Sequence, residues 1–358
     1  MESICMKLNQ LTIKHLTLKY PIIQGGMGVG ISRSNLAGAV AKEGGLGVIS
    51  TAQIGYDEEG FESSPIETNL AAIRKHVKKA KEIAPDGVVG VNIMVATNEY
   101  QRYVKASVEA GVDVIISGAG LPISLPELVE GSNTLIAPIV SSKKATEVIL
   151  KMWDRKNGRT ADFIVVEGPF AGGHLGFKKE ELIDIKIESF EEEVKEIVAY
   201  KKQYEDKYNV EIPVFLAGGI ATHQDILHAL SLGVDGVQIA TRFVVTKECD
   251  ASLAFKEAYL KAREEDVQIV TSPVGMPGRA IRNPFIERTY REEITRCYRC
   301  LSHCNPKEIP YCITKALIEA VRGNVDNGLI FCGQRVGDLK KMTTVHDLML
   351  ELIGESVI

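Results

Sequence analysis

The chain has 358 residues, 45% apolar and 25% charged, which is the composition of an ordinary globular protein with enough apolar material for a sizeable core. Its net charge of −5 and the lack of a basic block exclude a nucleic-acid partner, and no run reaches the roughly 18 apolar residues that a membrane span needs. The opening "MESICMKLNQ" has no apolar signal region, so the expected location is cytoplasmic, and the seven cysteines are expected as reduced thiols or metal ligands rather than disulfides.

Along the chain, short β-branched runs alternate with longer amphipathic ones. "PIIQ" (21–24) precedes a helical pattern over 33–44, "LGVIS" (46–50) one over 68–83, and "GVVGVNIM" (87–94) one over 98–110. "DVIIS" (113–117) precedes a helix over 122–130, and "TLIAPIV" (134–140) one over 142–156. "DFIVVEG" (162–168), "PVFLAGG" (213–219) and "DGVQIAT" (235–241) are followed by helices over 188–203, 222–232 and 249–264. Runs apolar almost throughout are strands covered on both faces. Eight of them, each followed by a helix, predict an α/β fold, a closed (β/α)8 or TIM barrel, over residues 1–265. Residues 177–193 form a charged insert. After residue 265 the rhythm stops: "SPVGMPGRAIRNPF" reads as a Pro/Gly loop, and 266–358 as a Cys-rich helical appendage packed on the barrel.

In such a barrel, ligands bind at the C-terminal ends of the strands. Backbone N–H groups at Gly218 and Gly219, with those of Ala240 and Thr241, are placed to ring a phosphate on the loops after strands seven and eight. "QGGMGVG" (24–30) lacks the dinucleotide spacing and reads instead as close backbone approach to a flat ring, with Met27 packing on it. Asn92, "SGAG" (117–120), Ser141, Ser142 and Glu167 fall at other strand ends. A phosphate at one side and glycine-lined space at the centre suit flavin mononucleotide (FMN). His174, within "EGPFAGGHLG", falls on the loop after strand six, where a near-neutral imidazole holds an anion or exchanges a proton beside the flavin.

"YPIIQGGMGVG", "AKEGGLGVIS", "GVNIMV", "SGAGLP", "AGGHLG", "FLAGGIAT", "LGVDGVQIATRF" and "SPVGMPGRAIRN" together resemble the nitronate monooxygenase group, formerly 2-nitropropane dioxygenases, and the related enoyl-acyl-carrier-protein reductase II. The resemblance spans roughly residues 15–285. It implies an FMN-binding TIM barrel with His174 as the catalytic histidine. It also implies flavin contacts from Gly26, Met27, Asn92, Glu167, Gly218, Gly219, Ala240 and Thr241, with Gly173, Ala217 and Gln238 of the same stretches. The implied reaction is oxidation of alkyl nitronates with O2. The alternative is enoyl-thioester reduction by NAD(P)H, supported by "VSSKK" after strand five, where many nitronate monooxygenases carry His-Lys. A flavin-binding redox sensor is a third reading. The expected partner is a small-molecule substrate, and a homodimer is left open. The substrate half of the site is expected from the 177–193 insert and the 272–284 loop, with Met276 and Arg279 facing the mouth. Cys297, Cys300, Cys304 and Cys312 have the spacing C-x2-C-x3-C-x7-C, similar to iron–sulfur enzymes of the old yellow enzyme group; an iron–sulfur cluster, zinc and plain reduced thiols all remain open.

Overall fold

The computed structural model describes residues 8–273, 275–288, 291–294, 296–302 and 304–355. Residues 1–7, on which the expectation of no export signal rests, lie outside them. The described residues begin with an antiparallel hairpin, β1 (Leu11–Ile13) and β2 (Leu16–Leu18). The βα rhythm then begins with β3 (Ile22–Gln24) and α1 (Ser34–Lys42), β4 (Leu46–Ser50) and α2 (Pro65–Ile83), and β5 (Val88–Met94) and α3 (Tyr100–Glu109). It continues with β6 (Val114–Gly118) and α4 (Leu125–Leu128), β7 (Leu135–Val140) and α5 (Lys143–Asn157). β8 (Ile164–Glu167) is followed by the two-residue β9 (Gly173–His174), then α6 (Lys179–Ile183) and α7 (Ile187–Tyr208). β10 (Val214–Ala217) leads to α8 (His223–Ser231), and β11 (Gly236–Ile239) to α9 (Thr241–Val244) and α10 (Leu253–Lys261). β12 (Val267–Thr271), β13 (Pro277–Ile281), α11 (Ile313–Arg322) and α12 (Val345–Leu352) complete the chain.

The strands β3, β4, β5, β6, β7, β8, β10 and β11 pair in parallel and close into the expected TIM barrel. Side chains alternate across the barrel wall, as the pleat requires. Ile23, Val48, Val88, Val114, Ala137, Phe163, Val165 and Phe215 fill the interior, together with Ile13 and Leu18 of the hairpin. Their neighbours Ile22, Ile49, Val89, Ile115, Ile136, Ile164, Val166 and Val214 pack outward under the helices. Each such fully buried aliphatic side chain contributes about 1.5–3 kcal/mol of transfer free energy. Gly47 is required for this packing: a Cβ there would sit 1.8 Å from the carbonyl oxygen of Ala37, so α1 lies directly on the β4 backbone.

One expectation is corrected. The Pro/Gly stretch is not an open loop: β12, β13 and β9 form an antiparallel sheet over the barrel mouth. Its glycines disguised it, because Gly278 is a strand residue packed against the Phe331 ring. The charged insert folds into α6 and the start of α7, burying Leu182 against Ala171 and Leu175, with Phe177 alongside.

Candidate active site

The inward-facing residues at the ends of the barrel strands form the floor of one large cavity, about 450 Å³, which falls in the usual range for small-molecule sites. They are Ser50, Asn92, Gly118, Ile139, Glu167, Ala217 and Gln238. Glycine loops make the walls. A Cβ on Gly26 would meet the Asn92 Cβ at 2.5 Å, so the loop after β3 sits against the floor with no room for a side chain. At the opposite side, Gly218 and Gly219 have φ of +99° and +79°, a region that favours glycine. Their N–H groups, and those of Ala240 and Thr241, donate to no backbone or side-chain acceptor among the described residues. Unpaired N–H groups on residues that line a cavity beside the start of a short helix fit an anion such as a phosphate. The N-terminus of α8 does not contribute, because the Asp225 carboxylate already accepts from the N–H groups of Ala221 and Thr222 at 2.9 and 2.8 Å. Arg335 bonds Asp225 at 2.5 Å and lies 3.4 Å from the carbonyl oxygen of Gly219.

His174 is a strand residue rather than a loop residue, its backbone held opposite Gly278. Its Nε2 lies 2.7 Å from the Ser272 hydroxyl, and its ring meets Phe331 edge-on at 5.0 Å. Burial pushes its pKa down to about 4, against the near-neutral value expected from sequence. The imidazole is therefore neutral at physiological pH. With Nε2 engaged by Ser272, Nδ1 is the nitrogen left for a ligand.

Burial pushes the Glu167 carboxyl in the opposite direction, up to about 7. An acid with a raised folded-state pKa holds its proton in the native state after the unfolded chain has lost it. Stability therefore falls as pH rises from about 4.5 to about 7. Glu167→Gln is expected to stabilise the unliganded protein by roughly 1–3 kcal/mol at pH 8 and little at pH 4. Thermal melts at the two pH values test this, and equal shifts at both would contradict it.

His174, Gly26, Met27, Asn92, Glu167, Gly173, Ala217, Gly218, Gly219, Gln238, Ala240 and Thr241 all line this cavity. So does Met276, whereas Arg279 is 1% exposed and lies behind the wall, not at the mouth. No residue of the 177–193 insert lines the cavity. The wall it was expected to supply comes instead from "FCGQR" (331–335) of the appendage. This segment is fastened by Cys332 N–H to the Arg279 carbonyl (3.0 Å), Gly333 N–H to Thr241 Oγ1 (3.2 Å) and Gln334 N–H to the Phe170 carbonyl (3.1 Å). Neither this segment nor the Ser272 contact has a local sequence signature, because both depend on pairing between residues far apart in the chain, from 53 positions for Cys332 and Arg279 through 98 for Ser272 and His174 to 164 for Gln334 and Phe170.

Cys297, Cys300, Cys304 and Cys312 are free thiols, and among the described residues no three His, Cys, Asp or Glu side chains are arranged to hold a metal. Burial raises the pKa of Cys300 to about 11 and also raises those of Cys304 and Cys312. Among the described residues no helix is long and apolar enough to cross a membrane.

A family model described as nitronate monooxygenase matches residues 9–355. A probable nitronate monooxygenase of Bacillus subtilis (strain 168) is 26% identical over 368 residues, spanning 96% of this chain and 98% of its own. A probable nitronate monooxygenase of Staphylococcus saprophyticus is 27% identical over 319 residues, 81% of this chain and 83% of its own. Among solved structures, FabK from Thermotoga maritima superposes with a TM-score of 0.71 at 26% identity, covering 94% of this chain and 92% of that one.

Proposed function

The chain belongs to the nitronate monooxygenase family of oxidoreductases, and on that premise we propose that it binds FMN non-covalently and oxidises alkyl nitronates with O2. The four unpaired N–H groups of Gly218, Gly219, Ala240 and Thr241 would hold the FMN phosphate, with the Arg335 guanidinium beside them. The glycine walls at Gly26 and Gly173, beside the floor residue Asn92, would take the flat ring, since neither glycine has a Cβ to keep it away. When bound, FMN supplies the electron-pair acceptor that the side chains of this protein lack, and O2 regenerates it.

His174 would donate a hydrogen bond to the nitronate oxygen or receive a proton from a neutral nitroalkane. A buried, neutral imidazole fixed by Ser272 suits the first task better, because an effective base has a pKa near the working pH. Met27, Met276, Leu121 and Phe331 make the remaining wall apolar and exclude water.

The observation that carries the choice of substrate is the charge of that wall. Among the described residues Arg335 is the only Lys or Arg lining the cavity, and it is paired with Asp225 and with Asp338 at 2.5 and 2.6 Å. An acyl chain on phosphopantetheine carries a phosphate that needs cations. The lysines of "VSSKK" do not supply them: neither lines the cavity, and Lys143 is paired with Glu196 at 3.3 Å. This favours a short alkyl nitronate over an enoyl thioester. Anaerobic reduction of the bound flavin by an alkyl nitronate, set against NADH, tests the proposal.

A further inference from the structure

Arg279 is among the largest fully buried side chains of the protein, at 1% exposure, and no carboxylate pairs with it among the described residues. Its Nη1 donates to the carbonyl of Ala171, and its Nε has no partner. The titratable group that acts on it is the Cys332 thiol, which is itself protonated. A guanidinium remains charged in proteins, and leaving such a charge buried and unpaired is costly. Its position is the second observation. Arg279 is paired in register with Gly173, next to His174, and Ala171 and Cys332, which it touches or neighbours, both line the cavity. One layer of backbone therefore separates an uncompensated positive charge from the space beside His174.

Resting on the FMN reading above, we propose that Arg279 is a positioning residue that makes this end of the cavity an anion subsite. Its field favours negative charge on the substrate and on the reduced flavin ring while the side chain touches neither. His174, being neutral, cannot supply that charge, and Arg335 belongs to the phosphate side with its own carboxylates. A unit charge about 6–8 Å from an anion, at an effective dielectric near ~20, changes the anion's affinity by roughly 30- to 100-fold.

Sulfite is the probe. Its sulfur lone pair adds to the oxidised ring, the displaced electron pair leaves the ring negatively charged, and the visible flavin band bleaches. The adduct is therefore a direct reading of how well the site tolerates negative charge. Arg279→Gln removes the charge and leaves a neutral N–H donor near the place of the Arg279 Nε; Arg279→Lys keeps the charge. In titrations of the FMN-loaded proteins, the glutamine variant is expected to bind sulfite roughly 30- to 100-fold more weakly, and the lysine variant within about threefold of the parent. A glutamine variant equal to the parent, or a lysine variant as weak as the glutamine one, would overturn the proposal, the latter by making the role purely structural. If neither variant retains FMN, the parent holoprotein decides: an adduct at saturating sulfite is expected, and its complete absence overturns the inference. Failure of the parent to take up FMN at all is a separate outcome, which defeats the cofactor reading and not the assignment of Arg279.

Discussion

Replacing His174 with alanine is expected to slow flavin reduction by an alkyl nitronate about 10²–10³-fold while leaving FMN bound, the cost of removing one positioned donor from a developing or bound anion. The side chain is fixed on three sides: strand pairing with Gly278, the Ser272 hydroxyl at 2.7 Å, and the Phe331 ring at 5.0 Å. That fixation is what gives one nitrogen a defined direction into the cavity. Because burial lowers the pKa to about 4, the imidazole is neutral above that value, and its contribution is lost only as pH falls towards 4. The rate with a preformed nitronate should therefore show no histidine limb between about pH 5 and 8. Single-turnover kinetics across that range test both statements. A rate unchanged in His174→Ala would reduce the residue to a structural role, and a limb near pH 6.5 would contradict its desolvation.

The second large effect is expected at Gly218. Its φ is +99°, and a Cβ there would lie 2.9 Å from the Ala171 nitrogen and 3.1 Å from the Gly168 carbonyl oxygen. Both obstacles are backbone, so Gly218→Ala must either strain the residue, at about 1–3 kcal/mol, or move the loop that presents the N–H groups. FMN affinity is expected to fall about 100-fold or more, measured by fluorescence quenching on titration of the apoprotein. Gly219→Ala should be milder, because its nearest contact is a single side-chain atom, the Phe170 Cβ at 3.1 Å, and no backbone atom is among its three nearest, although its φ of +79° carries the same strain. Equal, small losses at both positions would contradict the phosphate assignment.

The barrel was legible because β-branched runs and amphipathic helices alternate with a period the chain rarely breaks. The strand "LGVIS" coincides with β4, and "PVFLAGG" (213–219) contains β10 and overruns its end by two residues. The loops proposed to hold the flavin were legible as one end of the barrel for the same local reason: "QGGM", "LAGG" and "QIAT" are consecutive residues at strand ends. The half around His174 was not. Its wall is made by β9, Met276 and residues 331–335, backed by β12 and β13 and brought together by antiparallel pairing across long loops, and no local pattern encodes that pairing. Glycine and proline in β13 concealed a strand, as in "MPGRAI", where Gly278 is small because Phe331 packs on it. Arg279 was legible as a charge but not as a buried one. Its burial follows from β13 being covered by the 330–334 segment, with Ile281 N–H bonded to the Ile330 carbonyl at 2.9 Å.

The identity of the flavin's reductant separates nitronate oxidation from enoyl-thioester reduction most directly. In an anaerobic stopped-flow experiment, the FMN-loaded protein is mixed in turn with propyl nitronate and with NADH, and the visible flavin band is followed. Rapid bleaching by the nitronate, with NADH slow or without effect, is the predicted result. Rapid bleaching by NADH with the nitronate inert would contradict it and transfer the site to enoyl-thioester reduction.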